Sequence, residues 1–342
     1  MTVPEHERHR TTRREFTLGG LAALASGSLL LSACGGDDKS SSQDAASGPW
    51  TFTDDRGKKV TRETRPKRIV ANEATAAALL HAGVKPVSII AGSPLKQSTL
   101  LEGVDLDGVE SLGEVYGEIN LEKLAAVRPD VIVTAFNPDQ APLLFGFKNE
   151  AQQKKAEAFA PILAVNGVKD TTRVIERHHE VAGAFGADQD APRITAARKR
   201  YDERGAALKE AIEAKPDLAV VAVSGYADQV LFARPKEFQV FREYTAWGLE
   251  MTDPKGKDPF WETVSWEQVD KYPADLILYD DKTGTLDLDA MDRKPTWRGL
   301  PAVKAGQLVA YSAIEDWSYE KRSGEIDDLT KGVEQARTGL AS

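Results

Sequence analysis

"NLEKLAAVRPDVIV" at residues 120–133 and "SWEQVDKYPADLIL" at residues 265–278 share one pattern, 145 positions apart. Each stretch opens on a small polar cap, Asn120 or Ser265, with a Glu two positions later. An apolar spacing of three then indicates a short amphipathic helix, and a Pro-containing turn leads into a wholly apolar run. Helix, tight turn and buried parallel strand form the repeating unit of α/β proteins, so two copies predict two similar lobes.

The segments around the repeat continue this alternation of strand and helix. Strands are predicted at "RIVA", "PVSII" and "APILAV" in the first half, and at "LAVVAVSGY", "QVLFA" and "LVAYS" in the second. Between the halves, residues 170–214 have helical composition, which Gly186 interrupts and Pro192 restarts. The predicted fold is α/β: two Rossmann-like lobes with parallel sheets, joined by one long helical spine, with a ligand cleft between the lobes.

The N-terminal 33 residues have the features of an export signal. Adjacent Arg13 and Arg14 precede an apolar, small-residue stretch, which is typical of twin-arginine signals. The "LSA" at residues 31–33 stands before Cys34, the only cysteine, and this order resembles a bacterial lipobox. We therefore predict lipidation at Cys34 and an extracytoplasmic protein, lipid-anchored to the outer face of the cell membrane after twin-arginine export.

The predicted organisation follows from these features. It comprises a twin-arginine lipoprotein signal peptide at residues 1–33, a lipidated Cys and flexible tether at 34–49, an N-terminal lobe at 50–168, a spine helix at 169–215 and a C-terminal lobe at 216–342. Gly, Ser and Asp dominate the tether, so it behaves as flexible coil. Without a second cysteine there is no internal disulfide, and core packing must supply the stability.

The charge balance argues against a nucleic-acid partner. Removal of residues 1–33 leaves 40 basic and 50 acidic residues, a net charge of −10, and no basic stripe is evident. No nucleotide-binding loop, nucleophile elbow or Cys beside a His indicates an enzyme. The spine carries adjacent His178 and His179, but helical neighbours point about 100° apart, so no metal site is predicted there.

Five segments together resemble a known family. They are "RPKRIVANEATAAALLHAGVKPV", "GEINLEKLAAVRPDVIV", the spine, "FWETVSWEQVDKYPADLIL" and "TWRGLPAVKAGQLVAY", in this order behind a lipobox. The chain resembles the periplasmic-type binding lipoproteins for ferric siderophores, haem and cobalamin that serve ABC importers. This resemblance implies a monomeric receptor without catalytic activity or cofactor, whose ligand is a ferric siderophore. It also implies that Glu122 and Glu267, one on each lobe, dock onto the ABC permease subunits.

Three aromatic residues are predicted to line the cleft. Ligands of doubly wound sheets bind beyond the carboxyl ends of the strands. Tyr116 and Trp261 each stand four residues before a repeat cap, and Trp317 follows the strand "LVAYS". Such side chains can stack on a bulky, mostly apolar ligand. The resemblance matches all three to ligand-contacting positions, although Tyr116 stands where a ferric-hydroxamate binder of the family carries an Arg.

Polar donors to the chelate are predicted next to these aromatic residues. Arg234 and Arg322 could bind hydroxamate or catecholate oxygens, and Tyr226 is a further candidate. A ferric tris-catecholate carries about three negative charges and needs a basic cluster, so the acidic chain favours neutral or cationic hydroxamates. Haem, cobalamin, ferric catecholate and ferric citrate remain alternative ligands. Direct binding of ferric ion through tyrosines, a chelatase-like enzyme on the same fold and an adhesive surface lipoprotein also remain open.

Overall fold

The computed structural model describes residues 49–281, 285–312 and 316–341. The predicted signal peptide, the lipidation site Cys34 and the tether up to residue 48 lie outside these residues. All described residues belong to one compact unit.

A β-hairpin precedes the first lobe. Its strands, β1 (Trp50–Thr53) and β2 (Lys59–Arg62), pair antiparallel. Gly57 closes the turn with a positive φ of 76°, which glycine adopts without a steric penalty. The carboxylate of Asp54 accepts the backbone N–H of Ala164 and so ties the turn to the first lobe.

The N-terminal lobe is a five-stranded parallel sheet with helices on both faces. Its elements are β3 (Ile69–Asn72), α1 (Glu73–His81), β4 (Ser88–Ile90), β5 (Glu110–Ser111), α2 (Leu121–Val127), β6 (Val131–Phe136), α3 (Glu150–Glu157) and β7 (Ile162–Asn166). The strand order is β5-β4-β3-β6-β7. Because β3 and β6 are covered on both faces, every residue in them is buried. The winding reverses between β3 and β6, which places a crevice at their carboxyl ends.

Two helices form the spine. α4 (Thr171–Ala184) ends before Gly186, which has a φ of 96°, and α5 (Pro192–Glu213) begins with proline at its first position. The spine is therefore broken into two helices, at the glycine where the sequence predicts an interruption.

The C-terminal lobe is built on a second five-stranded sheet. Its elements are β8 (Val220–Gly225), β9 (Val230–Ala233), α6 (Gln239–Ala246), β10 (Trp261–Val264), β11 (Leu276–Asp280), α7 (Leu288–Met291), α8 (Pro295–Gly299), α9 (Pro301–Lys304), β12 (Leu308–Tyr311) and α10 (Tyr319–Gln335). The strand order is β10-β9-β8-β11-β12. The long helix α10 packs along α5 and fastens the lobe to the spine.

The second sheet is mixed, which corrects the expectation of a parallel sheet in each lobe. β8, β11 and β12 are parallel, whereas β9 is antiparallel to both β8 and β10. A tight turn joins β8 to β9, closed by a bond from the Tyr226 N–H to the Gln229 carbonyl. A parallel pair would need a crossover of a dozen or more residues, so this short turn forces a hairpin.

The internal repeat is preserved in its strands but not in its helices. In the first copy the Asn120 side chain caps α2 by accepting the Lys123 N–H. In the second copy only one 3-10 turn, Trp266–Gln268, forms, and Ser265 makes no capping bond to its backbone. Trp266 is buried and donates its indole N–H to the Tyr226 carbonyl, so packing on the β8–β9 turn competes with a longer helix.

Candidate ligand-binding site

The carboxyl ends of the two sheets face each other. Gly167 directly follows β7 of the first lobe, and Trp317 lies beyond β12 of the second. A Cβ built on Gly167 would lie 3.1 Å from the Trp317 ring, so these two segments are in contact. The loops that follow the other parallel strands therefore border a cleft between the lobes, as the sequence predicts.

Tyr116 is the main exposed aromatic residue on the N-terminal side of this cleft. Its side chain is 64% exposed, and its hydroxyl accepts the Gly146 N–H at 3.3 Å. Gly92 lies beneath the ring, where a built Cβ would be 3.6 Å from the tyrosine Cβ. The Glu73 carboxylate accepts the Gly92 N–H at 2.7 Å and fixes this loop. Three loops, after β4, β5 and β6, thus meet at Tyr116 and present its ring to solvent.

Arg234 and Trp261 belong to one aromatic patch on the C-terminal lobe. The backbone N–H of Arg234 donates to the backbone carbonyl of Phe260 at 2.9 Å, and Phe260 directly precedes Trp261 in the sequence. Phe238 packs edge-to-face against Trp261, with ring centroids 4.8 Å apart, and against Phe260. Phe260 is 40% exposed, and the buried Nε of Arg234 has no hydrogen-bond partner. The patch combines accessible aromatic surface with a guanidinium whose donors are only partly used.

The patch adjoins the contact between the lobes. Phe238 is followed by Gln239, the first residue of α6, whose side chain donates to the carbonyl of Gly167 in the first lobe. The sequence predicts a loop position for Trp261, but Trp261 is the first residue of strand β10. Phe238 and Phe260 are not among the residues predicted to bind the ligand, although Phe260 stands next to Trp261 in the sequence.

Trp317 lies beneath the cleft instead of lining it. The residue is 4% exposed and its ring stacks on His178 of α4, with centroids 5.2 Å apart and planes 20° apart. The indole N–H donates to Gln239 at 3.2 Å. Because both faces of the ring are covered by protein, Trp317 does not offer a stacking surface in this conformation, contrary to the expectation.

Arg322 is likewise an interior residue, which corrects its predicted role as a ligand donor. It is 2% exposed, and its guanidinium pairs with Glu243 and Glu325 and lies 5.4 Å from the centre of the Tyr244 ring. The same Glu243 accepts a hydrogen bond from the Tyr201 hydroxyl of the spine. Arg322 therefore joins α10 to α6 and the spine.

Tyr226 occupies the β8–β9 turn at the carboxyl edge of the second sheet. It is half-buried, and burial together with the nearby Asp280 carboxylate raises the pKa of its hydroxyl. Tyr226 is therefore a neutral phenol at physiological pH and can serve as a hydrogen-bond donor. Its position is compatible with the predicted role, which stays a prediction.

Glu122 and Glu267 are both exposed at the start of their helical turns. A hydrogen bond from the Ser265 hydroxyl lowers the pKa of the Glu267 carboxyl. Both elements precede a parallel strand of their sheet, so each lobe presents one carboxylate on the side of the cleft. This arrangement suits docking onto a partner with two basic sites, and the role stays a prediction.

The two spine histidines are used in packing. His178 donates its Nδ1–H to the Val174 carbonyl, and burial lowers its pKa to about 4. His179 pairs with Gln189. Within residues 49–281, 285–312 and 316–341, no group of three His, Cys, Asp or Glu side chains is arranged to hold a metal ion, and no helix is long and apolar enough to cross a membrane.

Two α/β lobes on a helical spine, with an exposed tyrosine on one lobe and an aromatic patch on the other, define a two-lobed solute-binding protein. The chain belongs to the Periplasmic binding protein family, whose match spans residues 69–314. This family works outside the cytoplasm. The chain is 24% identical over 306 residues to the Fe(3+)-citrate-binding protein YfmC of Bacillus subtilis (strain 168), covering 86% of this chain and 89% of that protein.

Solved structures with this architecture include receptors for ferric siderophores. DesE, a ferric-siderophore receptor protein from Streptomyces coelicolor, is 32% identical, with a TM-score of 0.77 over 84% of this chain and 99% of that one. FhuD2 from Staphylococcus aureus, solved with bound ferrioxamine B, is 20% identical, with a TM-score of 0.53 over 80% of this chain and 100% of that one. The second likeness concerns the fold alone.

Proposed function

We propose that this protein is an extracytoplasmic receptor that captures a ferric siderophore, with hydroxamates favoured, and delivers it to an ABC permease for iron uptake. The observations that carry the proposal are the exposed Tyr116 ring on one lobe and, on the other, the patch of Arg234, Phe260 and Trp261 beside the contact between the lobes. Aromatic rings can cover the apolar periphery of a chelate, while a guanidinium binds its iron-coordinating oxygens.

The charges near the cleft support the preference for hydroxamates. Exposed Glu114 and Glu118 flank Tyr116 in the sequence, and the patch of the other lobe carries Arg234. A tris-catecholate complex with about three negative charges would be repelled by these carboxylates, whereas ferric hydroxamates are neutral or cationic. Haem, cobalamin and ferric citrate stay as alternative ligands, citrate because one relative is named for it.

Anchoring and delivery form part of the same proposal. Cys34 would carry the lipid anchor after twin-arginine export, and the receptor would work as a monomer. Glu122 and Glu267 would then dock the loaded receptor onto the two permease subunits. Their exposure, and their matching positions at the start of two helical turns, support this role.

A fluorescence titration tests the ligand assignment. The full chain, kept in mild detergent, is titrated with ferrioxamine B, ferrichrome, a ferric catecholate, ferric citrate, haem and cobalamin. We expect saturable one-to-one quenching by a hydroxamate, weakened roughly tenfold or more by Trp261→Ala or Arg234→Met. Phe159→Ala, which removes an exposed aromatic residue remote from the cleft, is the control. Preference for the catecholate, or catalytic conversion of any of these compounds, would contradict the proposal.

A further inference from the structure

Residues 167–169 connect the N-terminal lobe to the spine and are held by side chains of the other lobe. Gln239 donates through Nε2 to the carbonyl of Gly167 at 2.8 Å and also to that of Lys169. Arg242, one turn further along α6, donates through Nη2 to the carbonyl of Val168 at 2.9 Å. Three consecutive carbonyls of the connecting segment are thus bound by one helix of the C-terminal lobe.

The bond between Gln239 and Gly167 is buried, and an aromatic stack reinforces it. Gln239 is 2% exposed, and its Oε1 accepts the Trp317 indole N–H. The Trp317 ring fills the space beside Gly167, where a built Cβ would lie 3.1 Å from the ring and 3.2 Å from the Ala135 Cβ. Its stacking on His178 brings the spine into the same contact.

A connecting segment outside helices and strands is where a change in lobe angle is absorbed, through φ and ψ rotations of a few residues. Rotation at residues 167–169 would turn their carbonyls away from α6. The buried carbonyl of Gly167 would lose its bond to Gln239, which is unfavourable. The bonds made by Gln239 and Arg242 therefore oppose such a rotation.

We infer that Gln239, Arg242 and Trp317 form a hinge lock that fixes the angle between the lobes. The lock adjoins the ligand patch, because Phe238, which packs on Trp261, directly precedes Gln239. Gln239 and Arg242 are thus positioning residues: they hold the two sides of the cleft at the spacing that the ligand requires. The effect on ligand binding rests on the proposed function, whereas the effect on lobe angle does not.

Distance measurements between the lobes test the hinge lock. Cysteines replace exposed Lys123 and Gln268, one on each lobe, in a full chain that carries Cys34→Ser, and spin labels on them report the distance distribution. The test variant is Gln239→Leu with Arg242→Met. Gln307→Leu is the matched control, because Gln307 is also buried and donates to two carbonyls, those of Asp275 and Arg337, but within one lobe.

We expect the distribution of the test variant to be broader than that of the wild type in the absence of ligand. Dissociation of ferrioxamine B should be about tenfold faster, as the loss of buried hydrogen bonds allows. Gln307→Leu should lose stability but keep the narrow distribution and the slow dissociation. If the double variant does not fold, Arg242→Met alone replaces it, because Arg242 is only half-buried. Its distance distribution should also be broader than that of the wild type, but by a smaller amount.

Equally narrow distributions for the wild type, the test variant and the control would overturn the hinge lock. A control that broadens as much as the test variant would also overturn it, because the effect would then follow from lost stability alone. If the wild type binds none of the chelates, the proposed function fails, but the distance distributions still decide the hinge lock.

Discussion

Arg322 holds two carboxylates inside the molecule, those of Glu243 and Glu325. The sequence around it, "YEKRSG", is polar and gives no sign that this Arg is the buried member of the group. Its role is determined by partners 79 and 3 residues away, brought together by the packing of α10 on α6. Burial of this guanidinium is tolerated because it is paired with these carboxylates.

Removal of this guanidinium should affect stability rather than the ligand. Arg322→Met leaves Glu243 and Glu325 without their partner, so we expect a loss of about 3–5 kcal/mol in the free energy of unfolding, measured by urea denaturation. Lys331→Met, which breaks an exposed pair with Asp327 and Asp328, should cost far less, because solvent screens that pair. If Arg322→Met kept its stability but bound ferrioxamine B more weakly, the structural role would be contradicted and Arg322 would again be a candidate donor to the ligand.

His178 should make stability depend on pH. Burial lowers its pKa from the ordinary 6.5 to about 4. Between these two pH values the unfolded chain therefore binds a proton at His178 and the folded protein does not. The associated stability is complete above pH 6.5 and is lost as the pH falls towards 4. Between pH 7.5 and pH 5 this contribution amounts to roughly 2 kcal/mol.

The comparison uses urea unfolding of the wild type and of His178→Phe at both pH values. We expect the variant to lack this part of the pH dependence, whatever its absolute stability. The same fall in stability for both proteins would show that His178 is not the group responsible.

At the scale of elements, the buried strands were the most predictable part of the molecule. The apolar runs at residues 131–133 and 276–278 are short and preceded by turns, and both lie in parallel strands inside a sheet, Val131–Phe136 and Leu276–Asp280. The hairpin of β8 and β9 was not predicted, because four turn residues between two apolar runs do not reveal the direction of the second strand. The 3-10 turn at Trp266–Gln268 depends on the burial of Trp266, which the repeat pattern does not express.

The helical turns that carry Glu122 and Glu267 lead to a prediction about delivery. Glu122→Ala combined with Glu267→Ala should abolish uptake of radioactive iron from ferrioxamine B by cells that produce the variant. Affinity of the purified protein should not change, because both carboxylates are exposed. Glu150→Ala is the matched control, since Glu150 is also exposed in the first turn of an Asn-capped helix. If affinity fell together with uptake, the docking assignment would be wrong.

In the whole molecule, the two-lobed fold was predictable from the sequence, whereas the burial of individual candidate residues was not. Tyr116 is exposed and Arg234 is half-buried, and their contact with a ligand stays a prediction. Trp317 and Arg322 are buried by contacts between α10, α6 and the spine. These contacts join residues more than 70 positions apart, so neither periodicity nor local composition could reveal them.

The hinge lock joins the two lobes. Gln239 and Arg242 lie on a helix of one lobe and bind the segment that leaves the other. Such a contact suits a receptor that opens little, because a cleft held near its bound shape spends less binding free energy on ordering. The N–H groups of Gly167 and Val168 are bound within the first lobe, and the bonds of their carbonyls to α6 restrict rotation of this segment further.

The location of iron in crystals grown with ferrioxamine B tests whether the cleft binds a ferric hydroxamate. Anomalous diffraction at the iron absorption edge identifies the metal without reference to the shape of its chelator. We expect one iron peak per molecule, between Tyr116 of the first lobe and the patch formed by Arg234, Phe260 and Trp261 of the second. An iron peak on the outer surface of one lobe, or no peak at saturating ferrioxamine B, would contradict capture of a ferric hydroxamate in the cleft.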